Sequence, residues 1–240
     1  MKCTFLGTRG NTKVRSERHH RHSALLVEYY RTAVMVDAGE DWRGRVPAIG
    51  PDAIVLTHAH PDHAWGLKDG APGPVWATAA TWDAIDAYPL DARHTVTPRD
   101  PFTIEGIRFE AFPVEHSTRC PAVAYRITAG VVTVTYAPDV VYIHDRAAAL
   151  REATCYIGDG ATLTRSMVRM QNDHLIGHTP VRTQLTWCQK EDVSKALFTH
   201  CGSEIIKGDT CEMQEKVNQF ATERGVEAQI AHDGMEVVLR

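Results

Sequence analysis

The sequence predicts an α/β chain of 240 residues, with helices covering the outer faces of two packed sheets. Two observations carry this expectation. Short apolar runs bounded by Gly, Pro, Asp and charged turns fill residues 3–136, whereas beyond residue 142 helical stretches alternate with apolar strands. The composition agrees: 43% hydrophobic and 23% charged residues suit a folded chain and exclude a disordered or low-complexity one. A chain of this length buries roughly 70–75% of its unfolded surface, so it needs no disulfide staples.

In chain order, strands are expected at 3–6, 24–30, 33–36 and 53–56, each an apolar run closed by turn residues, and together they read as a β-meander. A strand at 75–77 and a helical stretch at 81–87 follow. Further strands are expected at 107–113, 122–127 and 131–136. The second part places helices at 142–152, 181–189 and 210–224 between strands at 155–157, 196–198, 228–230 and 235–239. No Pro/Gly/Ser-rich linker and no repeat of 20–50 residues divides the chain, so residues 1–240 are expected to form one domain.

Lys plus Arg number 26 and Asp plus Glu 30, a net charge of −4 that offers no overall attraction for nucleic acid or anionic lipid. The cluster Arg15, Arg18, His19, His20, Arg21 and His22 reads equally as a solvated turn between strands and as an anion-binding edge. No run of about 18 apolar residues occurs, and residues 1–10 lack an export signal, so a cytoplasmic protein with no membrane partner is expected. The six cysteines form no C-x-x-C pair, which suits reduced thiols. Thirteen histidines are the first hint of metal chemistry.

That hint sharpens at Thr57-His58-Ala59-His60-Pro61-Asp62-His63, directly after the apolar strand 53–56. Three imidazoles and a carboxylate in residues 58–63 are the nitrogen and oxygen donors that zinc and similar divalent metals prefer. Alternation sets His58 and His60 on one side of an extended segment, able to share one ion. After the turn at Pro61, Asp62 and His63 point toward a second.

This H-x-H-x-D-H string resembles the signature of the metallo-β-lactamase superfamily, whose members share a four-layer αβ/βα sandwich. The segment Val36-Asp37-Ala38-Gly39 is similar to the family turn in which an Asp supports the metal loop. The resemblance implies further ligands, each just after a strand. His116 would complete the first site with His58 and His60. Asp139 would bind both ions, and His200 would join Asp62 and His63. Two divalent ions are implied, zinc foremost, with manganese or iron accepted by the same donors. Attack by a metal-bridging hydroxide is then expected, with no Ser or Cys nucleophile.

Within the superfamily, Phe5-Leu6-Gly7-Thr8-Arg9-Gly10, the turn 157–162, Gly177-His178-Thr179 and the terminal Ala231-His232-Asp233-Gly234-Met235 resemble the phosphodiesterase branch of tRNase Z-like and PhnP-like enzymes. The resemblance implies that His178 protonates the leaving oxygen or stabilises the phosphoryl charge, oriented by Asp159, which stands where tRNase Z has a longer glutamate. Asp62 counts both as a ligand and with the catalytic groups. Arg9, Arg119, Arg165 and Lys207 are candidate phosphate contacts. No long Gly/basic tRNA-clamping arm is visible, so a small phosphodiester or short nucleotide is expected rather than folded tRNA. The alternatives are a thioesterase or lactonase on the same fold, an RNase Z-like nuclease and a non-catalytic metal-binding module. A homodimer is expected by analogy with the branch.

Overall fold

A computed structural model describes all residues, Met1–Arg240. The chain begins with β1 (Lys2–Gly7), β2 (Ala24–Tyr29), β3 (Thr32–Val36), α1 (Val46–Ile49), β4 (Ala53–Val55), α2 (Pro61–Ala64), β5 (Val75–Thr78), α3 (Ala79–Ala84) and β6 (Arg93–Val96). It continues with β7 (Phe102–Ile104), β8 (Ile107–Glu115), β9 (Ala122–Ala129), β10 (Val132–Tyr136), β11 (Tyr142–Ile143), α4 (Arg146–Leu150) and β12 (Cys155–Asp159). Then come β13 (Arg169–Gln171), β14 (His174–Ile176), α5 (Val181–Lys190), β15 (Lys195–Thr199), α6 (Ser203–Lys207), α7 (Thr210–Thr222), β16 (Glu227–Ile230) and β17 (Met235–Val238).

Two mixed sheets result. One has the order β17-β1-β2-β3-β4-β5-β6, the other β11-β8-β9-β10-β12-β15-β16, with β7 paired to β8. Period-two alternation decides which side chains enter which layer. Val34 and Val36 of β3 and Val55 of β4 meet Phe109, Tyr125 and Val134 of the second sheet between the sheets. Met35 and Ile54, the alternate residues, face outward onto Trp42, Leu67 and Trp82. On the far side, Tyr156 and Phe198 pack under Val181 and Leu185 of α5 and Met213 and Val217 of α7. Each such buried apolar side chain contributes about 1.5–3 kcal/mol relative to exposure. The layering is helix, sheet, sheet, helix, as the sequence predicts.

Three local expectations differ from the structure. Only β1–β3 form a meander, because the 37–52 link crosses the outer face through the 3-10 turn Glu40–Trp42 and α1 and returns β4 parallel to β3. The helix expected at 142–152 shrinks to Arg146–Leu150, since Tyr142 and Ile143 pair with the edge of β8 and Asp145 turns left-handed at φ 54°. The hairpin β13–β14 goes unseen in the sequence because five of its six strand residues are exposed, leaving no apolar face to read. No helix is long and apolar enough to cross a membrane.

The basic segment 15–22 resolves as a tied-down turn. Asp233 accepts from the backbone N–H groups of Thr8, His20 and Arg21, while Asp41 accepts from His22 N–H and pairs with Arg9 and Arg15. Arg9, a candidate phosphate contact, is thus corrected to a scaffold residue: its side chain is only 3% exposed and donates to Asp41 and to the carbonyls of Thr12 and His20. Arg9→Met is expected to cost about 3 kcal/mol, the low end for breaking a buried ion pair because Asp41 keeps other partners. Urea unfolding measures this, with KM for a phosphodiester expected to stay within twofold. A large KM rise without loss of stability would restore the phosphate role.

Candidate metal centre

The strands β8, β10, β12 and β15 run in one direction, as shared antiparallel pairing with β9 and parallel pairing through β12 require. Their carboxyl ends open on one edge, where Val123 N–H donates to Thr57 carbonyl and joins the loop after β4 to the second sheet. Residues far apart in the chain meet there.

Asp37, at the end of β3 with φ 64°, organises the 57–63 loop. Its carboxylate accepts from Thr57 N–H at 2.8 Å, from Thr57 Oγ1 at 2.9 and 3.0 Å, and from His63 Nδ1 at 2.8 Å, which turns His63 Nε2 inward. Gly39 completes this turn because any Cβ there would lie 2.1 Å from the Asp62 carbonyl oxygen. His58 Nδ1 sits 3.0 Å from Thr57 Oγ1, so Nε2 is the nitrogen left for the centre.

Three donor groups converge. His58, His60 and His116 place ring nitrogens within 4.8 Å of one another; Asp62, His63, Asp139 and His200 do so with ring nitrogens and carboxylate oxygens, as do Asp139, Asp159, His178 and His200. His60 Nδ1 stands 2.9 Å from His58 Nε2 and 3.2 Å from His116 Nε2. Asp139 lies between the groups, with Oδ2 3.5 Å from His58 Nε2 and 2.6 Å from His63 Nε2, and Oδ1 3.3 Å from His200 Nδ1. His200, itself left-handed at φ 52°, rests on Gly10, where a Cβ would come within 2.9 Å of the ring. Its Nε2 is 3.0 Å from Asp62 Oδ2.

His178 joins this cluster. Its Nδ1 lies 2.8 Å from Asp159 Oδ2 and 3.2 Å from Asp139 Oδ1. The shorter aspartate suffices because β12 itself delivers it, and its oxygens are pinned by the N–H groups of Val140 and Ala161. Gln184, which the sequence reading missed, accepts from Asp159 N–H and donates to the carbonyls of Asp159 and Thr179, clamping β12 to the 177–180 loop. The signal was a buried amide among the apolar residues Val181, Leu185 and Cys188 of α5.

Charge is segregated. Burial depresses His58, His60 and His116, His60 to about 4, so these imidazoles are neutral donors. Burial opposes charge on Asp62 and Asp139 too, yet the imidazoles around them hold both well below the usual carboxylate range. Conversely, carboxylates raise His200 to about 9 and His63 well above its usual value, against the burial that would lower them. His63 Nε2, Asp139 Oδ1 and His200 Nδ1 are buried and crowd against one another's groups at 2.6–3.3 Å without forming an aligned hydrogen bond. A divalent cation that displaces the protons the carboxylates hold on His63 and His200 would engage all three atoms at once, so the residues fit such an ion.

Two clefts open over the cluster. One of about 580 Å³ is lined by Gly10, Asn11, Thr12, Arg165, Ser203 and Glu204; the other, of about 470 Å³, holds Ser117, Arg119, Arg169 and Gln171. His60, His116 and His178 border both. Arg165 and Arg119 therefore line the site. Lys207 does not: it is the exposed last residue of α6 and lines neither cleft, a correction to its candidacy. Cys201 is fully buried and burial pushes its thiol up, so it offers no thiolate.

Comparison with known proteins identifies the family and the fold. The chain is 31% identical over 141 residues to a ribonuclease Z of Methanopyrus kandleri, a match covering 51% of this chain and 48% of the relative; the chain thus spans about half the length of the curated relative it matches. In structure it is similar to the metallo-beta-lactamase fold protein YhfI of Bacillus subtilis, with 20% identity, TM-score 0.76 and 98% of each chain covered. It is also similar to a diphosphatase from the PhnP family, with 22% identity, TM-score 0.71, and 99% of this chain and 97% of the other covered. Residues 32–201, a span from the start of β3 through Cys201 that includes every histidine and aspartate of the cluster, match the family described as the beta-lactamase superfamily domain, and the chain belongs to that superfamily of metal-dependent hydrolases.

Proposed function

We propose that this protein is a dinuclear metal-dependent phosphodiesterase acting on a small phosphodiester or nucleotide. The observation that carries the reading is Asp139 between two donor groups, with His178 beside it at the mouth of both clefts. His58, His60 and His116 would hold one ion and Asp62, His63 and His200 the other, with Asp139 shared. Zinc suits this set, and manganese or iron accept it. Bound there, such ions acidify water and polarise a phosphoryl oxygen.

The chain's own groups do the rest. Asp37 and Thr57 fix the rings of His63 and His58, so the donors are organised before any ligand arrives. Burial would strip the proton from His178, but Asp159 and Asp139 raise its pKa well above the usual value. A protonated imidazole on the cleft wall can donate to a leaving oxygen, and Asp159 keeps its ring in place. The likeness to ribonuclease Z favours a second reading, cleavage of nucleic acid, although the net charge of −4 gives folded RNA no general attraction.

Metal-loaded protein is expected to hydrolyse bis(p-nitrophenyl) phosphate or a cyclic nucleotide in preference to a thioester or a β-lactam, and a chelator should abolish that turnover. Absence of phosphodiester hydrolysis, or turnover indifferent to the chelator, would remove the reading.

A further inference from the structure

The two clefts differ in charge. The first holds the carboxylates of Asp62, Asp139 and Glu204 against one guanidinium, Arg165, and its outer wall is neutral and hydrogen-bonding, with Asn11, Thr12 and Ser203. The second has no carboxylate in its lining and carries two guanidiniums, Arg119 from the loop after β8 and Arg169 from β13. Neither has an Asp or Glu oxygen within 4.0 Å. Elsewhere Arg43, Arg93 and Arg99 are each paired to an aspartate. Glu115, the acid nearest in sequence to this loop, is engaged by His144 Nε2 at 3.0 Å and lines a different pocket.

Both arginines are tied to the reacting centre. Gly177 N–H donates to the His116 carbonyl at 2.9 Å, which joins the end of the β13–β14 hairpin to the loop that bears Arg119. Gly177 itself, at φ 108°, must be glycine, since a Cβ would lie 2.1 Å from the Met167 carbonyl oxygen. The hairpin therefore brings Arg169 into the same cleft lining as Arg119, bordered by His60, His116 and His178.

Two guanidiniums without carboxylate partners, with Ser117, Thr118 and Gln171 in the same lining, present donors that a phosphate's oxygens accept. We infer that the second cleft is a subsite for a further phosphate of the substrate. Resting on the phosphodiesterase reading, this defines a class: diesters whose reacting phosphorus lies over the donor groups, with one uncharged arm in the first cleft and the other arm, such as a nucleoside that carries a second phosphate, in the second.

The test compares thymidine 5′-(p-nitrophenyl phosphate) with and without a 3′-phosphate, using the metal-loaded protein. The 3′-phosphorylated ester is expected to have a kcat/KM at least about tenfold higher, mostly through KM, and Arg119→Gln combined with Arg169→Gln should reduce the ratio to about one. Calorimetric titration with thymidine 3′,5′-bisphosphate and thymidine 5′-phosphate supplies a readout independent of turnover, with the same preference expected and the same loss in the variant. A wild-type ratio near one, or a ratio that survives both substitutions, would overturn the subsite. Preferential binding of the bisphosphate by protein that hydrolyses neither ester would support the subsite and sink the phosphodiesterase reading instead.

Discussion

Replacing Asp139 by Asn should lower phosphodiester turnover on the order of 10³-fold or more and reduce bound metal from near two ions per chain to one or fewer. The reason is its position. Its two oxygens reach His58 of one donor group at 3.5 Å and His63 and His200 of another at 2.6 and 3.3 Å, so one carboxylate spans both groups. Asparagine keeps the volume and removes the charge, leaving the surrounding imidazoles without the carboxylate that compensates them. Elemental analysis of the purified variant reads the metal and circular dichroism checks the fold. A folded variant retaining two ions and turnover within tenfold of the parent would show that Asp139 bridges nothing.

His178→Ala has the second-largest expected effect, a fall in kcat of about 10² to 10⁴ with metal content unchanged, the range for loss of a general acid. The pH profile gives a sharper readout. Asp159 and Asp139 hold the proton on His178 above its ordinary range, so activity should decline on the alkaline side as that proton leaves. The alanine variant should lose this limb. Asp159→Asn removes a carboxylate that raises the pKa, so its limb should move to lower pH. Loss of metal from His178→Ala would make the ring a ligand rather than a proton donor.

How much of this was legible depends on the range of the interaction. The 57–63 loop was readable because six consecutive positions contain four donors, and the preceding strand dictates which face they share. The helices α5 and α7 were readable from apolar spacing, whereas the hairpin β13–β14 was not, because its strands bury almost nothing. Residue chemistry proved a poorer guide for the arginines. Arg9 and Arg119 are equivalent in a sequence, yet one is enclosed by Asp41 and backbone carbonyls while the other stands without a carboxylate partner in a cleft.

By itself, then, the sequence determined the layered α/β plan and the local donor string, since strand alternation and helix periodicity act between near neighbours. Tertiary structure alone decided that His116 comes within 3.2 Å of His60 across 56 positions, and that His200 comes within 3.0 Å of Asp62 across 138. It also decided that Arg119 and Arg169 line one cleft. Those distances follow from parallel register in one sheet and the closing of a second sheet against it, and burial of the shared core holds them in place. No single residue's chemistry encodes that collective term.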